Sequence, residues 1–345
     1  MRKVASTKQT ILVTGGAGFI GSNFISFFLR ENPDSTLVNL DKLTYASNLS
    51  HLAEVENNER YNFVKGDICD SHLVKTIFEE YAIDAVIHFA AESHVDNSIE
   101  SPNAFIQTNI NGTFSLLEVA KHFWLDSGNR PKKGFENARF HHISTDEVYG
   151  SLGDEGYFDE SSPYAPNSPY SASKAASDLL ARSYHHTYGL NLVTSNCSNN
   201  YGPRQHDEKL IPTIIRKALG GDAIPIYGDG RNVRDWLYVL DHCRGISLVF
   251  QNGIAGETYV MGGNYECNNV SIAQKICAIL DEKHPKQNGS YAEQITFTKD
   301  RPGHDYRYAI DAGKMKQQFD WVPETDFETG LRMTVDWYIN KYNTA

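Results

Sequence analysis

Glycines at three-residue intervals, Gly15, Gly18 and Gly21, follow directly on the apolar run Thr10-Ile11-Leu12-Val13-Thr14 and open an amphipathic stretch over residues 19–30. This order reads as strand, tight turn and helix start. A turn without Cβ atoms lets backbone N–H groups and the positive end of a helix approach a pyrophosphate. The next apolar run, Thr36-Leu37-Val38-Asn39-Leu40, ends at Asp41, about 20 residues beyond the last glycine, where a carboxylate bonds a ribose 2′-hydroxyl and repels a 2′-phosphate. NAD is therefore expected in preference to NADP, with the adjacent Lys42 working against that selection.

Further short apolar runs at 61–65, 85–89, 139–143 and 190–194 alternate with amphipathic stretches over about 71–81, 103–125 and 170–188. Strands with no polar face, separated by helices, predict a parallel sheet covered on both sides. The expected fold class is α/β: a doubly wound parallel sheet over residues 1–195, then a smaller mixed α/β domain over residues 196–345. Turn formers crowd the second part, at Tyr201-Gly202-Pro203, Gly220-Gly221 and Tyr227-Gly228-Asp229-Gly230. Two runs there, 236–239 and 257–260, are expected to return to the main sheet, so segments near 236–262 are assigned to the first domain.

Composition narrows the partners. The 345 residues are 40% hydrophobic, and 32 Lys and Arg against 43 Asp and Glu give a formal net charge of −11. That balance suits a globular chain and offers no footprint for nucleic acid or an anionic membrane. The five cysteines form no CxxC pair, so a reducing cytoplasm is expected rather than a disulfide framework or zinc site. Nor do His88, His94, His141 and His142 have ligand spacing, so no metal is expected. No apolar run approaches the roughly 20 residues of a membrane span. The basic start, residues 1–8, leads only to three apolar residues and is not expected to be a signal peptide.

Tyr170 and Lys174 stand four residues apart after Pro169, a residue suited to a helix start, so both face one side. A neighbouring ammonium favours phenolate, which makes Tyr170 a base near neutral pH; Lys174 is also placed to hold a nicotinamide ribose. Ser144-Thr145-Asp146-Glu147 follows the run ending at Ile143, and ligands of open α/β sheets bind at strand C-termini. The Thr145 hydroxyl suits a bond to a reacting oxygen. Oxidation needs only a base and a hydride acceptor, whereas eliminating water also needs a group to take a carbon-bound proton and another to protonate the departing hydroxyl. Asp146 and Glu147 can divide those tasks.

The glycine turn, Asp41 and the Tyr170/Lys174 pair resemble the extended short-chain dehydrogenase/reductase family that modifies nucleotide sugars, which implies a Rossmann fold. Over nearly the whole chain the sequence resembles the dTDP-glucose 4,6-dehydratases, through Asp41-Lys42-Leu43-Thr44-Tyr45, Glu92-Ser93-His94-Val95-Asp96, Asn196 to Pro203, Lys209 to Pro212, Arg234 to Val239 and Asp300 to His304. The resemblance implies that Tyr170 deprotonates the glucose 4-hydroxyl while hydride passes to NAD+. Glu147 then removes the C5 proton, Asp146 protonates the C6 hydroxyl, and hydride returns to C6. NAD would stay bound.

On matching positions the resemblance implies that NAD is held by the glycine turn with Phe19 and Ile20, and by Asp41, Lys42, Leu43 and Thr44. Asp67 and Ile68 would lie near the adenine, with Phe89, Ala90, Ala91, Ser93, Thr108, Tyr170, Lys174 and Asn200 completing the site. For dTDP-glucose it implies contacts from Ser93 and Thr145, with Arg234 and Arg301 clamping the diphosphate beside Asn199 and Asn269. Pro225 and Tyr227 would meet the base, and Lys209, Leu210 and His304 would line the same pocket. Two positions depart from the family pattern on this nucleotide side: His206-Asp207, where an aromatic-proline pair is common, and Tyr265, where Asn is usual.

Other readings are a GDP-mannose 4,6-dehydratase, a UDP-glucuronate decarboxylase and a non-catalytic dinucleotide-binding module. Asp146-Glu147 with Asn199-Asn200 argues against the decarboxylase, Asp41 against an NADP-dependent relative, and intact Thr145, Tyr170 and Lys174 against the module. Around residues 102–124, Phe105, Ile106, Ile110, Phe114, Leu117 and Val119 give more apolar surface than one sheet face needs. The family implies a homodimer through such helices; burial in the core is the other reading.

Overall fold

A computed structural model describes residues 9–343, so the basic start at residues 1–8 lies outside them. The strands in chain order are β1 (Thr10–Thr14), β2 (Thr36–Asp41), β3 (Tyr61–Lys65), β4 (Ala85–His88), β5 (Arg139–Thr145) and β6 (Leu192–Cys197). They continue with β7 (Asn199–Tyr201), β8 (Ile224–Tyr227), β9 (Val233–Tyr238), β10 (Thr258–Met261), β11 (Glu266–Asn268) and β12 (Ile295–Thr298). Seven form one sheet in the order β10-β6-β5-β4-β1-β2-β3. The ladders of β1 with β2 and β4, of β2 with β3 and of β4 with β5 all run parallel. Chain order reverses at β1, flanked by β2 and β4, and such a switch point leaves a crevice outside the strand C-termini.

The chain divides into two compact units. The first holds the described residues up to Val148 together with Ser168–Asn196 and Cys243–Tyr259; the second holds Tyr149–Asn167, Cys197–His242 and the described residues from Val260 onward. In the first, Leu12, Val38, Val86 and Phe140 of neighbouring strands pack with Val74, Ile77 and Phe78 of the Ser71–Tyr81 helix. The i, i+3, i+4 spacing of those three puts them on one helix face. Asp70 caps that helix by accepting N–H bonds from His72 and Leu73. The second unit has its own core, built from Ile211, Ile214 and Ile215, Ile272 and Ile276, and Leu331, Val335 and Tyr338.

Two expectations are corrected. The run 236–239 does not return to the main sheet: residues 236–238 lie in β9, whose two edges are taken by β7, parallel, and β11, antiparallel. The run 257–260 contributes to β10, which joins the main sheet beside β6. The single helix expected over 103–125 is interrupted; Pro102–Phe105 and Thr113–Trp124 are α-helical, and Ile106–Gly112 forms a π-helix. The interruption goes with Asn109, whose side chain bonds Glu92 N–H, Glu92 O and Ser173 Oγ at 2.8, 3.0 and 2.8 Å. π-Turns of this kind recur at functional sites.

Candidate active site

In the first unit the glycine turn is fitted to its surroundings. Gly15 has φ +70°, and a Cβ on it would lie 2.7 Å from the Ala90 backbone; one on Gly21 would lie 2.3 Å from Gly15 O. Gly18 differs, for a Cβ there meets only Gly15 O, at 3.3 Å. It is the N-cap of the Phe19–Glu31 helix and supplies no side-chain cap to the first-turn N–H groups. Open space beside uncapped helix donors is the arrangement that a pyrophosphate completes. The turn is clipped to β2 by Asn39, which accepts Gly16 N–H at 3.1 Å, and by Asp41, which accepts Ala17 N–H at 2.9 Å on one oxygen. The other Asp41 oxygen takes Leu43 N–H at 2.8 Å and Ser47 Oγ–H at 2.9 Å. Asp41 is thus a buried organiser of the turn, and Leu43, with φ +58°, carries the chain away from it.

Lys42 Nζ lies 2.7 Å from Asp67 Oδ2, so its ammonium is matched with a carboxylate. Burial pushes Asp67 up, but the bonds from Lys42 and the Cys69 amide leave it below the usual carboxylate range. Ile68 is buried and sits against Gly112, where a Cβ would meet its Cδ1 at 2.5 Å. After β4, Thr14 receives the next two amides, its carbonyl from Phe89 N–H and its Oγ1 from Ala90 N–H. Ala91, Ser93 and Thr108 are half-buried, the last in the π-helix.

Tyr170 occupies the first turn of the Pro169–Tyr188 helix, which Ser168 opens with a capping box. Tyr170 is 8% exposed, and its ring meets Phe105 edge-on at 6.3 Å. Lys174, 4% exposed, donates from Nζ to Ile143 O at 2.8 Å. That carbonyl lies on β5, two residues before Thr145. Asp146 and Glu147 begin a 3-10 turn at once after β5. Thr145 Oγ1 donates to Asp146 Oδ1 at 3.3 Å and accepts Glu147 N–H at 3.3 Å. Asp146 is buried and Glu147 half-buried. All five proposed catalytic residues therefore lie within one unit, on β5, on the turn that follows it and on the helix tied to it.

The histidines have local partners. His88 bonds Thr14 Oγ1 at 2.7 Å and Thr113 Oγ1 at 2.9 Å, His141 bonds Ser195 Oγ at 2.9 Å, and His142 bonds Asp178 at 2.9 Å. His94 caps the short Val95–Glu100 helix. Burial pushes His88 and His142 below the ordinary imidazole value, with Lys174 adding to the effect.

In the second unit Arg234 is 5% exposed, donates to the carbonyls of Val233, Asp305 and Tyr306, and stacks 4.4 Å over the Tyr308 ring. His304 bonds Asp300 at 2.6 Å and meets the Tyr227 ring edge-on at 6.4 Å; burial and Arg301 hold it below the usual imidazole value. Arg301 N–H donates to the same carboxylate. Asn269 N–H reaches Asn232 O at 3.2 Å, and Asn232 in turn donates to Asp305 O. These contacts gather Tyr227, Arg234, Asn269, Arg301 and His304 around one segment. Pro225 is exposed on β8, and Lys209 and Leu210 sit at the start of the Leu210–Leu219 helix. On β7, Asn199 is half-buried, and Asn200 accepts from buried His242 at 2.9 Å and donates to Ser198 O at 3.0 Å. The two departures have packing roles: Asp207 takes bonds from Lys341 and Tyr342, and Tyr265 stacks on Phe327 at 4.1 Å.

Sequence reasoning passed over Asn39, Asn109, Asp178 and Asn196, all buried and all bonded to parts of the site. Asn39 did carry a signal, a polar residue inside an otherwise apolar strand, where burial requires a partner.

Known proteins resemble this chain over nearly its whole length. A family model described as GDP-mannose 4,6 dehydratase matches residues 12–334. A dTDP-glucose 4,6-dehydratase of Xanthomonas campestris pv. campestris is 56% identical over 331 residues, covering 96% of this chain and 93% of its own. The crystal structure of a dTDP-glucose 4,6-dehydratase from Streptomyces venezuelae with NAD and TYD bound superposes with TM-score 0.87 at 44% identity, covering 97% and 98% of the two chains. Another, from Bacillus anthracis in complex with NAD, gives TM-score 0.85 at 43% identity over the same shares. Agreement of this degree over nearly the full length of every chain compared makes this a member of the dTDP-glucose 4,6-dehydratase family.

Proposed function

We propose that the β5 turn and the tyrosine helix of the first unit convert dTDP-glucose to dTDP-4-keto-6-deoxyglucose by internal redox and loss of water. The observation that carries this reading is the Lys174 bond to Ile143 O, which fastens the tyrosine helix to the strand whose end bears Thr145, Asp146 and Glu147. The relatives' names and the dehydratase structures crystallised with NAD support it. The residues Gly15 to Gly21, Asp41 to Thr44, Asp67, Ile68 and Phe89 to Ala91 would hold the cofactor. NAD+ in that cradle supplies a hydride acceptor that gives back within the turnover what it takes.

Tyr170, with Lys174 on the same helix face, takes the proton of the sugar 4-hydroxyl, and the Thr145 hydroxyl bonds the same oxygen. A ketone at C4 acidifies the neighbouring C5–H bond. Glu147, the more exposed carboxyl, removes that proton. Asp146, the more buried one, gives its proton to the C6 hydroxyl, which leaves as water. Arg234 and Arg301 are assigned to the diphosphate, Asn199 and Asn269 beside them, and Tyr227 and Pro225 to the base. We place the first unit as the cofactor domain and the second as the sugar-nucleotide domain. A homodimer through the exposed Ile99, Ile106 and Phe114 of the first unit and a cytoplasmic location complete the proposal. Among the described residues no helix is long and apolar enough to cross a membrane.

The test is to incubate the purified protein with dTDP-, UDP-, GDP- and CDP-sugars and weigh the products by mass spectrometry. Loss of one water from dTDP-glucose is expected. An isomer of unchanged mass would assign the site to epimerisation, and unchanged sugars throughout would favour a binding module.

A further inference from the structure

Asp178 is a buried carboxylate that the mechanism above does not use. It lies on the Pro169–Tyr188 helix at 3% exposure, and positions 170, 174 and 178 repeat at i, i+4, i+8 along one helix face. Its Oδ1 accepts from His142 Nε2 at 2.9 Å, and its Oδ2 from Ser144 Oγ at 2.8 Å and Asn196 Nδ2 at 3.3 Å. His142 and Ser144 lie on β5, Asn196 on β6. Asn196 Nδ2 also donates to Thr145 O at 2.9 Å. The helix is thus fastened to the last four residues of β5 through His142, Ile143, Ser144 and, by way of Asn196, Thr145.

A buried carboxylate costs several kcal/mol to desolvate, and an apolar side chain of similar volume is often no less stable in such a place. What the charge adds is geometry. Three donors converging on two oxygens define one register of helix against strand, which an apolar contact would leave to slide. The groups needing that register are Tyr170, two turns earlier on the helix, and Asp146 and Glu147, just beyond the strand.

We infer that Asp178 is a positioning residue for the dehydration: its carboxylate sets the tyrosine helix in register with the turn that bears the acid and the base. This rests on the roles given above to Tyr170, Asp146 and Glu147, and a Tyr170→Phe control tests those separately. In the intact protein, Asp178→Asn keeps the shape and one acceptor but turns an amide N–H₂ toward Ser144 or His142. Misplacement of reacting groups by about 1 Å costs about 10²-fold, so D178N is expected to lower kcat to that extent with KM within about threefold of wild type. Ser144→Ala, which removes one donor, is expected to lower kcat by roughly tenfold, and in the double variant its effect should shrink because the carboxylate it served is gone. Circular dichroism and thermal melting measure the folded fraction.

Wild-type kcat in folded D178N, or a kcat that falls only as far as the folded fraction, would overturn the inference. Should D178N fail to fold, S144A carries the test alone, and wild-type kcat in it is the overturning result. Full activity in Tyr170→Phe would instead remove the mechanism on which the inference stands.

Discussion

Single residues divide the work here by exposure and by what lies beside them. Gly15 and Gly18 look alike in sequence yet differ in what surrounds them. Gly15→Ala is expected to destabilise the apoprotein by about 2 kcal/mol or more, because it forces a Cβ at positive φ against the Ala90 backbone. Gly18→Ala meets only one carbonyl oxygen, so the apoprotein should melt normally while the added methyl blocks close backbone approach to the pyrophosphate and weakens NAD binding by about tenfold or more. Titration of apoprotein with NAD, followed by fluorescence, checks this; unchanged affinity in G18A would remove the cradle. Glu147→Gln keeps size and one acceptor oxygen but cannot take a proton. Its kcat is expected to fall by about 10²–10⁴-fold, with dTDP-glucose still bound and no solvent deuterium delivered to C5, as read by NMR of the sugar. Normal turnover would remove Glu147 from its role. The glycines, Asp41 and the acid pair were legible because each sits where a strand visibly ends; Asp178 and Asn196 were not, since their meaning lies in contacts between segments distant in sequence.

At the scale of elements, the first unit was nearly readable and the second was not. Strands Thr10–Thr14 and Tyr61–Lys65 and helix Ser71–Tyr81 fall where apolar runs and amphipathic spacing put them; the apolar β1 lies in the middle of the parallel sheet and the more polar β3 at its edge. The π-helix was hidden because the contacts that accompany it, the Asn109 bonds to Glu92 and Ser173, are tertiary. The assignment of 236–239 to the main sheet failed for a similar reason: an apolar run shows that a strand is buried but not which strands flank it. Asp235 of β9 shows how such an element responds to pH. Burial pushes its carboxyl from 3.8 to about 6, although the Gly263 and Tyr265 amides oppose the rise. The folded state therefore binds the proton more tightly, so this contribution to stability is complete below pH 3.8 and is lost as pH rises through about 6. Asp235→Asn retains an acceptor for both amides and removes the titration. Calorimetry should show its stability against pH flatter than wild type over that window, with a gain on the order of 2 kcal/mol near neutrality. Parallel curves would contradict this.

For the whole molecule, the chain passes five times between its units, with Tyr149–Asn167 belonging to the second and Cys243–Tyr259 to the first. The excursion Tyr149–Asn167 is rich in Gly, Pro and Ser, but such residues mark a loop without showing which unit it packs against. The apolar surplus of residues 102–124 splits in two: Phe105 and Leu117 are buried, whereas Ile106 and Phe114 are 43% and 49% exposed. Phe114→Glu is accordingly expected to turn a homodimer into monomers in sedimentation, with the circular dichroism of the wild type; an unchanged sedimentation profile would remove that face from the interface.

The central claim is that oxidation at C4, carried out beside paired carboxyls, leads to loss of water before the redox state is restored. It is tested most directly by turnover of dTDP-glucose in deuterium oxide, with the product analysed by mass spectrometry and NMR. The account predicts a 4-keto-6-deoxy sugar nucleotide, one water lighter than its precursor, carrying a single solvent deuterium at C5, with no net change in the oxidation state of the bound NAD. A product that keeps its C6 hydroxyl, or one that gains no deuterium at C5, would contradict it.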